Sequence, residues 1–161
     1  MVRLIRIFIF VLSIGVALNA DDYLDMNLKL NVAKKQNKYM MLFFHIPHCP
    51  YCKRMLDKNF KHKKTLEEVR KNFILVDIYT KSDKRVKFKK FNGIQKEFAK
   101  FIGASAFPAT IFLDKNGKTI HKAIGYRNIN ELLFEMKYIS SHSYLKMELE
   151  PFIEKLEFEK D

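Results

Sequence analysis

Tyr39-Met40-Met41-Leu42-Phe43-Phe44-His45-Ile46-Pro47-His48-Cys49-Pro50-Tyr51-Cys52 is the stretch on which the reading of this chain turns. Its first six residues form an unbroken apolar run of strand length, suited to the centre of a sheet covered on both faces. The segment from Pro50 to about Phe60 reads as a helix, with Pro50 at the first helical position, where a missing N–H costs nothing. Cys49 therefore stands at a helix N-terminus, where free N–H groups and the helix dipole favour a thiolate. Cys52 follows three residues later, one turn away on the same helix face and within reach of a disulfide. No other cysteine exists in the chain. The spacing describes a dithiol that opens and closes.

Other readings of the pair need parts the chain lacks or leave it little to do. A structural zinc site takes four ligands, usually from a second C-x-x-C or a His pair. A structural disulfide closing so short a loop constrains almost nothing in the unfolded chain. A Cys/His metal carrier stays open as the rival, because His45, His48, Cys49 and Cys52 fall within eight residues. Soft sulfur with imidazole suits Zn or Cu(I). Replacing both histidines separates the two: carriage collapses, whereas disulfide exchange survives.

Around this stretch the chain has 161 residues, one domain's worth, with 48% hydrophobic residues and 15 Phe, a globular rather than a disordered composition. Residues 1–20 stand apart as a signal peptide. Arg3 and Arg6 form a positive start, Ile7 to Leu18 is apolar apart from Ser13 and Gly15, and Ala20 precedes Asp21-Asp22. This layout is that of a secretory leader cut after Ala20. Leu18 is bulky for its place before the cut, and an uncut leader would serve as an N-terminal anchor. The expected location is the periplasm, and the expected domain is residues 21–161, with 141–161 as a helical extension. Export puts the dithiol where disulfides persist. The formal charge of +12 reads as a solvated surface or an aid to meeting acidic partners. Export argues against nucleic acid as a partner, despite the basic, Phe-containing segment Lys81 to Phe91.

Along the rest of the chain, Asp22 to Lys38 reads as an amphipathic helix from Leu24, Leu28 and Val32. Thr65 to Lys71 reads as a short helix capped near Thr65. Phe73 to Tyr79 is a second central strand, and Val86 and Phe88 alternate with lysines as an edge strand does. Asn92-Gly93 signals a turn. Gln95 to Ile102 is a helix stopped by Gly103. Pro108 to Leu113 and Lys118 to Ile124 form a hairpin about Asp114-Lys115-Asn116-Gly117. A helix from Asn128 to Ser140 follows, then a helical stretch from Tyr144 to about Glu159 that Pro151 should break or kink. Strands joined through helices pair in parallel and the hairpin pairs antiparallel, giving a three-layer α/β fold around a small mixed sheet with an extra C-terminal helix.

That order resembles the thioredoxin superfamily, over roughly Tyr23 to Ser140. Three features carry the resemblance: Phe44-x4-Cys49-Pro50-Tyr51-Cys52, Ala106-Phe107-Pro108-Ala109-Thr110, and the Leu113 to Lys118 hairpin ending at Gly125-Tyr126. Exported bacterial thioredoxin-like proteins of the SoxW and Dsb type look most alike. C-P-Y-C also occurs in glutaredoxins, which are typically shorter and cytosolic. The resemblance implies that Cys49 is the attacking nucleophile and Cys52 the buried resolving thiol. It also implies that Pro108 is a cis-proline facing the dithiol, and that the Phe107 backbone, with Pro50 and Tyr51 nearby, meets the substrate strand.

Departures from the family pattern matter. Many thioredoxins hold a buried acid six residues before the first cysteine, and here that position is Phe43. Phe107 is bulkier than the residue common before the cis-proline. His48 could stabilise the Cys49 thiolate when protonated, and Lys53 and Arg54 would also favour thiolate. The expected function is an exported thiol–disulfide oxidoreductase, acting as reductase or isomerase on protein disulfides. A dithiol oxidase of the same fold is the alternative within the family. The dithiol carries the electrons, so no bound cofactor is expected. The expected partners are proteins bearing disulfides or thiols and a membrane electron donor or acceptor, met by a monomer.

Overall fold

The computed structural model describes residues 23–159; the signal peptide expected at 1–20 lies outside them. Four strands form the central sheet: β2 (Tyr39–His45), β3 (Phe73–Tyr79), β6 (Ala109–Leu113) and β7 (Thr119–Ile124), in the order β3-β2-β6-β7. β2 pairs parallel to β3 and antiparallel to β6, and β6 pairs antiparallel to β7. The sheet is mixed, as the sequence implied.

The apolar run of β2 is continuous because both its faces are covered. Met40, Leu42 and Phe44 join one core cluster, and Tyr39, Met41 and Phe43 join the other. The first face is covered by α1 (Met26–Lys35) and α4 (Gln95–Ile102), through Met26, Ala33, Phe98 and Ile102. The second is covered by α2 (Pro50–Arg54) with its π-helical continuation Met55–Asn59, by α3 (Lys63–Asn72), α5 (Ile129–Ser140) and α6 (Leu149–Phe158). Met55, Leu132, Met136 and Phe152 are buried there. This is the three-layer arrangement. Among the described residues no helix is long and apolar enough to cross a membrane.

A second sheet was not anticipated. β1 (Tyr23–Asp25) pairs parallel to β4 (Arg85–Phe88), which pairs antiparallel to β5 (Phe91–Ile94). The expected helix from Asp22 thus starts later, at Met26. Asp25 is its cap: extended at φ −80° and ψ 96°, it accepts the N–H groups of Asn27 and Leu28, each at 2.9 Å. The basic segment after β3 supplies β4, the middle strand of this sheet rather than an edge, and buries Val86 and Phe88.

Asn92-Gly93 lies inside β5 and is not the turn. The chain reverses at Lys89-Lys90, where Lys89 takes φ +53° and its N–H is held by Asn27 Oδ1 at 2.8 Å. Gly93 serves close packing instead: a Cβ there would fall 2.5 Å from Glu97 Oε2 and 2.9 Å from the Phe91 ring.

Two helix boundaries also moved. α3 starts at Lys63 after His62, so Thr65 is interior and fully buried rather than a cap. Pro151 neither breaks nor kinks α6, because it is the third helical residue, in the first turn, where N–H groups have no partner anyway. The stretch expected as one helix from Tyr144 divides into a 3-10 turn, Ser143–Leu145, and α6, with the break at 146–148 rather than at Pro151. Gly103 ends α4 at φ +87°, and Asp114 Oδ1 closes the β6–β7 hairpin on the N–H groups of Asn116 and Lys118, each at 2.8 Å.

Candidate active site

β2 runs out of the sheet at His45, and Ile46-Pro47-His48 carries the chain to the start of α2. His48 adopts φ +54°, and Cys49 follows in extended conformation as the N-cap. Pro50 takes the first helical position. The Cys52 N–H points at Cys49 Sγ, 3.1 Å away, and the two sulfurs form a disulfide with Cα atoms 5.2 Å apart. The two differ in access: Cys49 is half-buried, whereas Cys52 is 1% exposed.

The dithiol opens onto a cavity of about 580 Å³ lined by His45, Ile46, His48, Cys49, Cys52 and Asp57, among others. Lys53, also on its wall, is paired with Asp57, four residues on. Lys53, and then Lys61, hold the Asp57 carboxyl below its ordinary value. Arg54 lies over the Tyr126 ring, 5.8 Å from its centroid, and exposed Tyr51 packs against the same ring at 5.4 Å. The two cations expected to favour the thiolate thus have other partners.

Phe107 and Pro108 come to the same end of the sheet. Ala109 pairs with Phe44, so the loop entering β6 lies beside the loop leaving β2. The Phe107–Pro108 peptide is cis, and the Pro108 carbonyl accepts the Gly125 N–H at 2.8 Å. Phe107 lines a neighbouring cavity of about 490 Å³, which shares Ile46 with the dithiol cavity and carries Lys81, Lys96 and Lys100.

His48 is exposed on the rim. His45 is held inward, its Nε2 2.9 Å from Asp77 Oδ1. Among the described residues no group of three or more His, Cys, Asp or Glu is placed to hold a metal ion.

Phe43, at the position of the family's buried acid, is a core residue packed edge-on to Phe60 with centroids 4.7 Å apart. Asp77 and Asp57 went unremarked in the sequence. Asp77 had a visible signal, as the one charge inside the apolar strand Phe73–Tyr79. Also unread was a buried ion pair beyond the dithiol helix: Glu135, 3% exposed, accepts from Arg127 Nε at 2.7 Å. Asn59, at the end of the π-helical turn, donates to the Arg127 carbonyl and ties the pair to that helix.

Comparison with known proteins agrees with this geometry. The family model for thioredoxin-like domains matches residues 26–140. A thioredoxin-fold protein from Helicobacter pylori is 25% identical with a TM-score of 0.62, over 74% of this chain and 80% of that one. A putative disulphide-isomerase from Bacteroides thetaiotaomicron (20% identity, TM-score 0.59, 78% of this chain and 92% of that one) has the same fold. So does a thioredoxin from Thermus thermophilus (19% identity, TM-score 0.57, 73% and 85%). No curated protein sequence matches significantly. With a matching domain over most of its length and a C-x-x-C pair closed as a disulfide at the head of α2, the chain belongs to the thioredoxin-like domain family and is a thiol–disulfide oxidoreductase.

Proposed function

We propose that this oxidoreductase is exported and acts as a reductase or isomerase of protein disulfides. The observation that carries the exchange mechanism is the unequal access of the two sulfurs, Cys49 half-buried and Cys52 closed off. The Cys49 thiolate attacks a substrate disulfide and expels one substrate thiolate, forming a mixed disulfide. The Cys52 thiolate then attacks Cys49 Sγ, expels the second substrate thiolate and closes the Cys49–Cys52 bond. Two electrons pass to the substrate. The Phe107 backbone, beside Pro108, takes the substrate strand by main-chain pairing, while Pro50 and Tyr51 form the facing wall. His48 modulates the Cys49 thiolate from the rim.

The reducing direction is supported by the engagement of Lys53 with Asp57 and of Arg54 with Tyr126. Cations left free beside Cys49 would stabilise the reduced form and make the protein a stronger oxidant. Export rests on the Arg3 to Ala20 layout. A reductase working outside the cytoplasm is recharged by a membrane electron donor. Equilibration of the mature protein with glutathione buffers tests the direction. A reduction potential below about −200 mV supports the reductase or isomerase, and one near about −120 mV makes the protein an oxidase instead.

A further inference from the structure

Closing the disulfide requires Cys52 to lose its proton, and Cys52 is 1% exposed. Burial in apolar surroundings opposes thiolate formation, so a proton acceptor inside the cavity has work to do. The side chain six residues before Cys49 is Phe43, which carries no acid. The titratable side chains on the cavity wall besides the cysteines are His45, His48, Lys53 and Asp57. Lys53 and Asp57 are paired with each other. His48 is exposed on the rim.

His45 is different in kind. Its side chain is 14% exposed, with the ring stacked on Phe43 (centroids 5.7 Å apart, planes at 15°) and tilted against Tyr79 (5.1 Å). Its carbonyl accepts both the N–H and the hydroxyl of Thr80, at 3.0 and 3.2 Å, which fixes the backbone. Asp77, the partner of Phe43 two residue pairs back along the β2–β3 ladder and on the same face, puts Oδ1 2.9 Å from Nε2. The contact is an ion-pair distance without the alignment of a hydrogen bond, so Nε2 is left without a hydrogen-bond partner, and the carboxylate acts on the ring through its charge. Phe43 on β2 and Asp77 and Tyr79 on β3 contact the imidazole, which shares the cavity wall with His48, Cys49, Cys52, Lys53 and Asp57.

We propose that His45, beside the Asp77 carboxylate, is the proton acceptor for the Cys52 thiol in the resolving step. The inference rests on the exchange mechanism above. In the mixed disulfide the Cys52 proton passes to the imidazole, which becomes a cation stabilised by the Asp77 carboxylate. The Cys52 thiolate attacks Cys49 Sγ, the substrate sulfur leaves as thiolate, and the imidazolium returns a proton to it or to water. No outside oxidant or reductant enters this step.

The test uses the reduced full-length protein, in excess over 5,5′-dithiobis(2-nitrobenzoate), in a stopped-flow instrument. The first equivalent of released thiolate reports attack by Cys49, and the second reports resolution by Cys52. Cys52→Ser identifies the second phase by abolishing it. In His45→Gln the second phase is expected to slow by about 100-fold near neutral pH, at the low end for a positioned acid–base group. It should then rise about tenfold per pH unit as hydroxide takes over, while the first phase stays within about twofold. Asp77→Asn should slow the second phase less, by about tenfold, with the first phase intact. A second phase at the wild-type rate in His45→Gln overturns the proposal, as does equal slowing of both phases. A wild-type protein that releases no thiolate overturns the exchange mechanism itself, a different and separable result.

Discussion

Cys49 and Cys52 sit three residues apart yet in unlike surroundings. Both line the cavity, but Cys49 caps α2 and is half-buried, while Cys52 lies inside the first turn and is almost fully buried. Farther along the same helix, Asn59 connects to Arg127, whose guanidinium meets buried Glu135. Replacing Glu135 by Ala removes the carboxylate that accepts from Arg127 Nε, while the Ile124 and Tyr126 carbonyls still hold the guanidinium, and losing such a charged hydrogen bond costs about 2 kcal/mol. Urea unfolding of Glu135→Ala should show a loss of that order. The Cys49–Cys52 pair and the cis Phe107–Pro108 peptide were legible in the sequence because each is a local motif. His45–Asp77 and Arg127–Glu135 were not, since each joins residues from different elements and depends on strand register or helix packing. A histidine within four residues of a C-x-x-C reads equally well as a metal ligand until β3 is laid beside it.

At the scale of elements, the strands and helices that bury a clear face were readable, and the misplaced boundaries share one cause. Leu24, Thr65 and Asn92-Gly93 each carry a local signal, for a helix interior, a cap and a turn respectively, that tertiary packing overrides. β4 recruits Tyr23–Asp25 into a strand, the interior of α3 takes Thr65, and Glu97 packs against Gly93. Asn128 shows the opposite case, where local and tertiary demands agree. Its side chain accepts the Glu131 N–H at 3.0 Å, and Glu131 returns to the Asn128 N–H at 2.7 Å. Asn128→Ala should destabilise the protein by about 1 kcal/mol, read from the denaturation midpoint. The dithiol chemistry should be unchanged, because α5 keeps its packing through Leu132, Met136 and Ile139.

The whole molecule is organised by its two-faced central sheet, and the C-terminal extension belongs to one of those faces. Phe152 of α6 is 6% exposed and packs with Tyr138 at 5.4 Å. Phe152→Ala should cost about 3 kcal/mol in thermal or denaturant unfolding; a loss below about 0.5 kcal/mol would show α6 to be only laid on the surface. The same region holds phenols whose ionisation is delayed. Burial, and then the Tyr144 hydroxyl 3.5 Å away, push Tyr39 upward, and burial with Glu148 and Glu150 pushes Tyr138 upward. A phenol raised in the folded state contributes stability that is complete below the unfolded value of about 10 and is lost as pH rises through the folded value. Ultraviolet titration should therefore show late-ionising tyrosines, and Tyr39→Phe should remove the latest of them.

Intact-mass analysis of single-cysteine variants incubated with oxidised glutathione tests most directly whether Cys49 attacks and Cys52 resolves. Cys52→Ser should accumulate one glutathionyl group on Cys49 within the time in which Cys49→Ser stays largely unmodified, while the wild-type chain returns to its internal disulfide. Equal capture by both variants, or capture by Cys49→Ser alone, would contradict the assignment of the two sulfurs and the mechanism built on it.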